Sequence, residues 1–369
     1  MPSPEVPLTR NCGTMGVHEH LVATDPEYRS RRLIVEGFAQ GFARAAEKGG
    51  PEGILLIPVV VHVVHSTAAQ NVSDAQIHSQ IAVLNHDYRK ANPDAASTPA
   101  PFAPFVADAE IAFCMATVDP SGNATNGITR THTTKSVFHA EMDDIKAAVT
   151  GGHDAWSAEH YLNMWIAPGI TDRKGRDLLG YGQFPGGPPA TDGVVILCTA
   201  FGNTGTASAP FDRGRTATHE VGHWLNLLHI WGDDLGGCTG SDQVVDTPNQ
   251  ANANGGKPAF PSVSCGNDPD GDMFMNYMDY TDDDTMYMFT PGQVARMRST
   301  LAGPRSSVVR SSMAAGMIAA RAEVGAATAF AIPFGEKELG HVTERVFDGR
   351  QWLPAGTIDP QLLGIFSPR

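Results

Sequence analysis

The sequence predicts an α+β fold with a mixed, twisted sheet, a backing helix, and a second helix that carries the chemistry above a loop-rich C-terminal half. Three observations predict it. The run "ILLIPVVVHVVH" from Ile54 to His65 is rich in β-branched residues and has the length of a buried strand. Just beyond it, Ile77, Ile81, Leu84 and Tyr88 recur at helical spacing behind Ser73, with Gln76 placed as in a capping box. A helical stretch from about Asp212 to Leu228 is followed by residues 232–287, a long irregular segment of the kind that is functional or braced.

Residues 1–51 form a separate leading segment, helical in "PEYRSRRLIVEGFAQGFARAAEKGG" and closed by a Gly-Gly-Pro break. The globular domain begins with the strand at Ile54 and is expected over 52–305. Further strands are expected at Ala109–Val118, Tyr161–Ala167 and Gly193–Cys198, with a short helix near Glu141–Val149. Residues 306–369 form an extension without repeat or motif. Exposed arginines at Arg305 and Arg310 would leave it open to trimming.

With 41% hydrophobic and 18% charged residues the chain has the composition of a folded soluble protein, which excludes disorder throughout. A formal charge of −14 excludes nucleic acid and anionic membranes as natural partners, and leaves cations and basic peptides. No run of eighteen apolar residues is present, and the start at Met1–Arg10 lacks a basic stretch followed by an apolar core, so neither a membrane span nor a signal peptide is expected. Five cysteines cannot all pair within one chain. Cys238 and Cys265 share a Gly, Asp and Asn-rich stretch where a disulfide would restrict a loop, and that pair is favoured over free thiols. Cys114 and Cys198 lie in apolar runs and read as buried strand residues.

The chemistry is concentrated in "THEVGHWLNLLH". On a helix His219 and His223 stand one turn apart on one face, so both imidazoles reach a single ion, and Glu220 is placed to take a proton from water on that ion. His229, six residues on, cannot share that face. The helix must end and the chain turn back, and Asn226 falls where the turn needs a positive φ, which Asn tolerates best after Gly. Glutamate as a distant third ligand is implausible, since the next one after Glu220 is Glu323; Asp233 and Asp234 remain possible substitutes. A merely solvated helix would not need three histidines beside Leu-rich faces. A structural zinc site would take four ligands and commonly cysteine, whereas three leave a position open.

These residues resemble the metzincin motif HExxHxxGxxH, departing only in Asn226 at the glycine. Taken with "GRTATHEVGHWLNLLHIWGD", "CTGSDQVVDTPNQ", "DMFMNYMDYTDD" and "MFTPGQVARM", the chain resembles the pappalysin family of ulilysin-like zinc endopeptidases over most of residues 54–300. The resemblance implies a methionine turn at Met278 beneath the metal and an intermediate-stabilising tyrosine at Tyr280. "TRNCGT" resembles the cysteine-switch segment of metzincin precursors, which implies that Cys12 blocks the open zinc position and that residues 1–51 are a propeptide, cut near Arg44–Lys48. Calcium is implied at Asp242, Thr247 and the carbonyls of Ser241 and Val245, a set of hard oxygens. In "YTDDDT", Asp283 is chosen over Asp282 and Asp284 as the acidic pocket selecting Arg or Lys after the scissile bond, although Thr285 stands where relatives often carry Cys. The family also implies protein or peptide substrates, secretion and a monomer. An inactive zinc-binding module on the same fold is the alternative reading, and intact Glu220 speaks against it.

Overall fold

A computed structural model describes residues 9–46, 53–234 and 236–309, together with two short paired strands at Arg345–Phe347 and Trp352–Pro354. The leading segment forms helices α1 (Thr14–Thr24) and α2 (Pro26–Ala46). Strand β1 runs over Leu55–His65, buried along nearly its whole length as the β-branched run requires. It pairs in parallel with β2 (Ile111–Met115) along its first half and with β3 (Ile128–His132) along its second. A two-residue strand β4 (Phe138–His139) pairs outside this sheet with β6 (Ile170–Thr171). On the other side of β1 lies β5 (Leu162–Ala167), then β8 (Val194–Leu197), and antiparallel at the edge β7 (Gly180–Gly182). The sheet is therefore mixed, as expected.

Helix α3 (Asp74–Tyr88) backs this sheet, burying Ile77, Ile81, Leu84 and Tyr88 against Ile57, Val59, Val61 and Val63. Its far neighbour in the same core is α4 (Arg215–Trp224), through Ala217, Val221 and Trp224. The opposite face of the sheet meets Val17, Leu21 and Tyr28 of the leading segment, which pack with Val64, Trp165, Val195 and Leu197. Helix α5 (Pro291–Ala302) closes the domain and packs on α2.

Several expectations need correction. The capping box at Ser73 is only half formed: its hydroxyl accepts from the Gln76 amide at 3.2 Å, but the Gln76 side chain turns inward to the Phe201 carbonyl at 2.8 Å. The helix near Glu141–Val149 is instead three 3-10 turns, broken where Asp143 takes φ 50°. The active-site helix is shorter than Asp212–Leu228. It starts after Gly214 at φ 74°, where Asp283 accepts the amide of Arg215, and stops before Asn226. Strands β3, β4, β6 and β7 lie outside the runs that predict strands; β7 is two glycines around a tyrosine and has no apolar run to mark it. Arg305 is not exposed. It is buried over the Trp224 ring, donates to the Trp224 and Gln183 carbonyls and pairs with Asp192. Val308 and Val309 also lie in the core, beyond the boundary expected at 305. Arg310 is outside the described residues.

Candidate active site

Helix α4 carries His219, Glu220 and His223, all buried. Each imidazole donor nitrogen is fixed by an acceptor: His219 Nδ1 faces the Tyr277 carbonyl at 2.7 Å and His223 Nδ1 the Leu227 carbonyl at 2.8 Å. A carbonyl only accepts, so the proton sits on Nδ1 and the lone pair on Nε2. The chain turns at Asn226, φ 77°, and returns His229, whose Nδ1 meets both Asp233 oxygens at 2.8 and 2.9 Å. The three Nε2 atoms converge, with His223 3.1 Å from each of the others. Burial, then the neighbouring imidazoles, hold His219 and His223 well below the usual histidine range, so they are neutral. Three convergent lone pairs at that spacing repel one another unless a cation sits among them. This donor set fits zinc, with each ring braced from behind as metal-bound histidines are.

Two further contacts hold the ligands. Trp231 stacks on the His229 ring, 4.3 Å between centroids and 9° apart in plane, and Tyr280 meets both rings edge-on. Met278 is buried beneath α4, and a Cβ built on Gly222 would fall 2.6 Å from its sulfur, so the glycine lets the helix sit close on the thioether.

Glu220 points toward the edge strand. A Cβ on Gly180 would sit 2.9 Å from Glu220 Cγ and one on Gly182 2.6 Å from its carbonyl, so the glycines of β7 let the helix approach. Burial pushes the Glu220 carboxyl up to about 7. The leading segment occupies this space. Cys12 Sγ lies 3.2 Å from Glu220 Oε2 and forms with the three histidines a cluster whose ligand atoms are all within 4.8 Å of one another, the one such His/Cys/Asp/Glu group among the described residues. Its amide donates to the Tyr280 hydroxyl at 3.2 Å. Thr14 donates to the same Glu220 oxygen at 3.1 Å and accepts from the Gly182 amide at 2.8 Å. The backbone on either side runs along β7, with Gly13 N donating to Gly180 O and Leu179 N to Asn11 O.

Asp283 is fully buried, unlike its neighbours. Its Oδ2 accepts the amides of Arg213 and Arg215, and its Oδ1 takes the Arg10 guanidinium at 2.5 Å. Arg10 also donates to Thr216 Oγ1 at 3.0 Å and the Thr281 carbonyl at 3.2 Å, and lies over the Phe211 ring. Asp284 is taken by Lys257, and Asp282 is half-buried. Of the three aspartates only Asp283 is fully buried, while Asp284 lines an open cavity with Arg213 and Lys257.

Below this, Cys238 and Cys265 form a disulfide. Cys198 is buried and free, while Cys114 is free and only partly buried. Asp242 lies within the disulfide loop, accepting from Thr247 Oγ1 at 2.8 Å and Val244 N at 3.1 Å, and burial pushes it up to about 7. Ser241 and the exposed side chain of Val245 flank it. Asp233 and Asp234 do not stand in for a histidine ligand: Asp233 orients His229, and Asp234 caps its own turn at Gly237, Thr239 and Gly240.

Sequence reasoning missed Arg10, Thr14, Trp231 and the role of Asp233. Only Arg10 had a signal: an arginine two residues before the proposed switch cysteine, in a chain with a proposed arginine pocket.

The family model described as pregnancy-associated plasma protein-A matches residues 146–302. An extracellular metalloprotease of Verticillium alfalfae is 33% identical over 308 residues, covering 80% of this chain and 90% of the relative. One from Pyricularia oryzae is 34% identical over 300 residues, with coverage of 76% and 91%. Among solved structures, mature mirolysin of Tannerella forsythia in complex with a cleaved peptide is 54% identical, covers 70% of this chain and 96% of its own, and has a TM-score of 0.67. A promirolysin mutant from the same organism is 48% identical, covers 82% and 97%, and reaches 0.73.

Proposed function

The chain belongs to the pregnancy-associated plasma protein-A family, the pappalysins, and is a zinc metalloprotease; from that premise we propose that it is a secreted endopeptidase made latent by residues 1–51 and cutting before Arg or Lys. The observation that carries this is the leading segment's grip on the site: Arg10 in the Asp283 pocket, Cys12 at the histidines, and Thr14 on Glu220. One segment thus covers the specificity pocket, the metal position and the general base. Greater coverage by the precursor neighbour than by the mature one supports the same reading. The names of the extracellular relatives support secretion, and no helix among the described residues is long and apolar enough to cross a membrane.

His219, His223 and His229 would hold the zinc, which when bound would supply Lewis acidity toward water and a peptide carbonyl. Glu220 Oε2 takes the proton of the attacking water and later returns it to the leaving nitrogen. The Tyr280 hydroxyl, placed by Trp231, donates to the carbonyl oxygen as it gains charge. The edge of β7 holds the substrate backbone through the groups that now hold Asn11 and Gly13, and Asp283 takes a guanidinium or ammonium. Met278 supports α4 from below. The mature unit follows the leader, the stretch past the core ending at Val309 is an extension, and the enzyme acts as a monomer on protein or peptide substrates.

Cys12→Ala in the full chain is expected to raise caseinolysis at least tenfold, with all of the gain abolished by a zinc chelator. Unchanged activity would remove Cys12 from the latency mechanism, and gain insensitive to chelation would remove zinc.

We further propose that calcium is held at Asp242 with Thr247 and the carbonyls of Ser241 and Val245. A buried carboxylate with two neutral donors and no salt bridge among the described residues, Arg296 acting on it only at longer range, supports this, because such a charge is costly without a close counter-ion. Calcium-selective chelation should lower the melting temperature by several degrees, reversed by adding calcium back, on the order expected for losing 1–2 kcal/mol of linked binding. A melting curve indifferent to calcium would reject the site.

A further inference from the structure

We propose that the leading segment also sets the active-site turn: Arg32, backed by Glu36, is a positioning residue that holds Asn226 in the conformation delivering His229 to the metal. This rests on the zinc-peptidase reading of the site and deepens the role of the leader beyond blocking.

The chain departs from the metzincin pattern at one position, and the structure shows what the departure meets. Asn226 is fully buried at φ 77°, a conformation that glycine adopts freely and that Asn, the residue tolerating it best after glycine, adopts at a small cost. Its side-chain amide is buried with it, and Nδ2 has no hydrogen-bond partner among the described residues. Such a residue is costly at the hinge between two ligands unless something compensates. Compensation comes from two buried arginines. Arg296 of α5 donates Nε to the Asn226 carbonyl at 2.6 Å, and Arg32 of α2 donates Nη1 to Asn226 Oδ1 at 2.7 Å. Because a guanidinium only donates, the Arg32 contact also fixes which end of the amide faces it.

Glu36, one helical turn after Arg32, bridges the two cations at 2.6 and 2.8 Å. Arg32 further donates to the Pro185 carbonyl at 3.2 Å and covers the Phe184 ring, which in turn meets His223 edge-on. Packing keeps α2 in register for this: Val35, Ala39 and Phe42 are buried, and a Cβ on Gly303 at the end of α5 would touch Phe38. The carbonyl side of the turn is held within the domain, by Arg296 and by Thr300 Oγ1 on the Leu225 carbonyl at 3.1 Å. Only the side-chain side is held from the leader. The precursor therefore retains zinc and regains its fold better than the same domain without Arg32, independently of the thiol at Cys12.

A double-substitution cycle in the full chain tests this, with Arg32→Ala, Asn226→Gly and both together. The readouts are the rate of zinc release to a chromophoric chelator and the yield on refolding from urea with zinc present. Arg32→Ala is expected to release zinc about tenfold faster and to refold in lower yield, the order seen when an outer support of a metal ligand is lost. In the Asn226→Gly background the same change is expected to matter less than about twofold, because glycine needs no clamp. Equal release from wild type and Arg32→Ala overturns the proposal, and so does an equal loss in both backgrounds, which would place the effect of Arg32 on Phe184 instead. If Arg32→Ala alone does not fold, recovery by Asn226→Gly supports the clamp and its failure overturns it. Proteolysis does not enter either readout, so a failure of the latency reading and a failure of this one are distinguished.

Discussion

Glu220→Ala, made in the Cys12→Ala background, is expected to lower peptide hydrolysis by roughly 10²–10⁴-fold while zinc content stays at one per chain. The effect follows from what surrounds the carboxylate. Glu220 is buried beside the converging Nε2 atoms and reaches the space in which Cys12 now lies. Asp233, the carboxylate on the other side of the ligands, is engaged by His229 Nδ1 and cannot replace it. The three histidines proposed to hold zinc are untouched by the change, and their own partners are the carbonyls of Tyr277 and Leu227 and the Asp233 carboxylate. Elemental analysis and a quenched-fluorescence peptide measure the two quantities separately. A rate within tenfold of the parent would mean that another group takes the proton.

Asp283→Asn should cost about 100-fold or more in kcat/KM on peptides with Arg after the scissile bond, and little on peptides with a small apolar residue there. Asparagine is the informative choice. Asp283 accepts the amides of Arg213 and Arg215 at the start of α4, and an asparagine oxygen can continue to do so, so the fold is spared. What is lost is the charge opposite the guanidinium, in a fully buried pocket where an unpaired ion typically costs 3–5 kcal/mol. The same substitution in the full chain frees Arg10, so background activity of the precursor should rise. One residue thus yields opposite changes in two assays. Cut sites mapped by mass spectrometry that still fall before Arg and Lys at the original ratio would reject Asp283 as the selecting group.

Local patterns made much of this legible. Helical spacing put two histidines on one face, and the left-handed preference of Asn located the turn that returns a third; the structure has φ 77° there. The β-branched run at Ile54–His65 and the apolar face from Ile77 to Tyr88 marked the central strand and its backing helix, because burial on one side leaves a period in the sequence. Misreadings occurred where no period exists. Asp143 in a left-handed conformation broke an expected helix into turns, and the Gly-Tyr-Gly strand β7 offered no apolar run. Arg305 read as an exposed tail residue because charge usually signals solvent, yet it is buried against Trp224 and paired with Asp192.

The amino-acid sequence by itself determined the chemical identity of the site: which side chains can bind zinc, which carboxylate can move a proton, and where the chain has to turn. Beyond Cys12, only the tertiary structure decided which side chains of residues 9–46 meet that site. Arg10 meets Asp283 across 273 positions, Thr14 meets Glu220 across 206, and Arg32 meets Asn226 across 194. Ligand spacing is written within one helix and one turn, so it survives as a motif. A contact between distant segments depends on how the sheet edge, α2 and α4 are brought together by packing, and a packing direction leaves no spacing in the sequence from which it can be read.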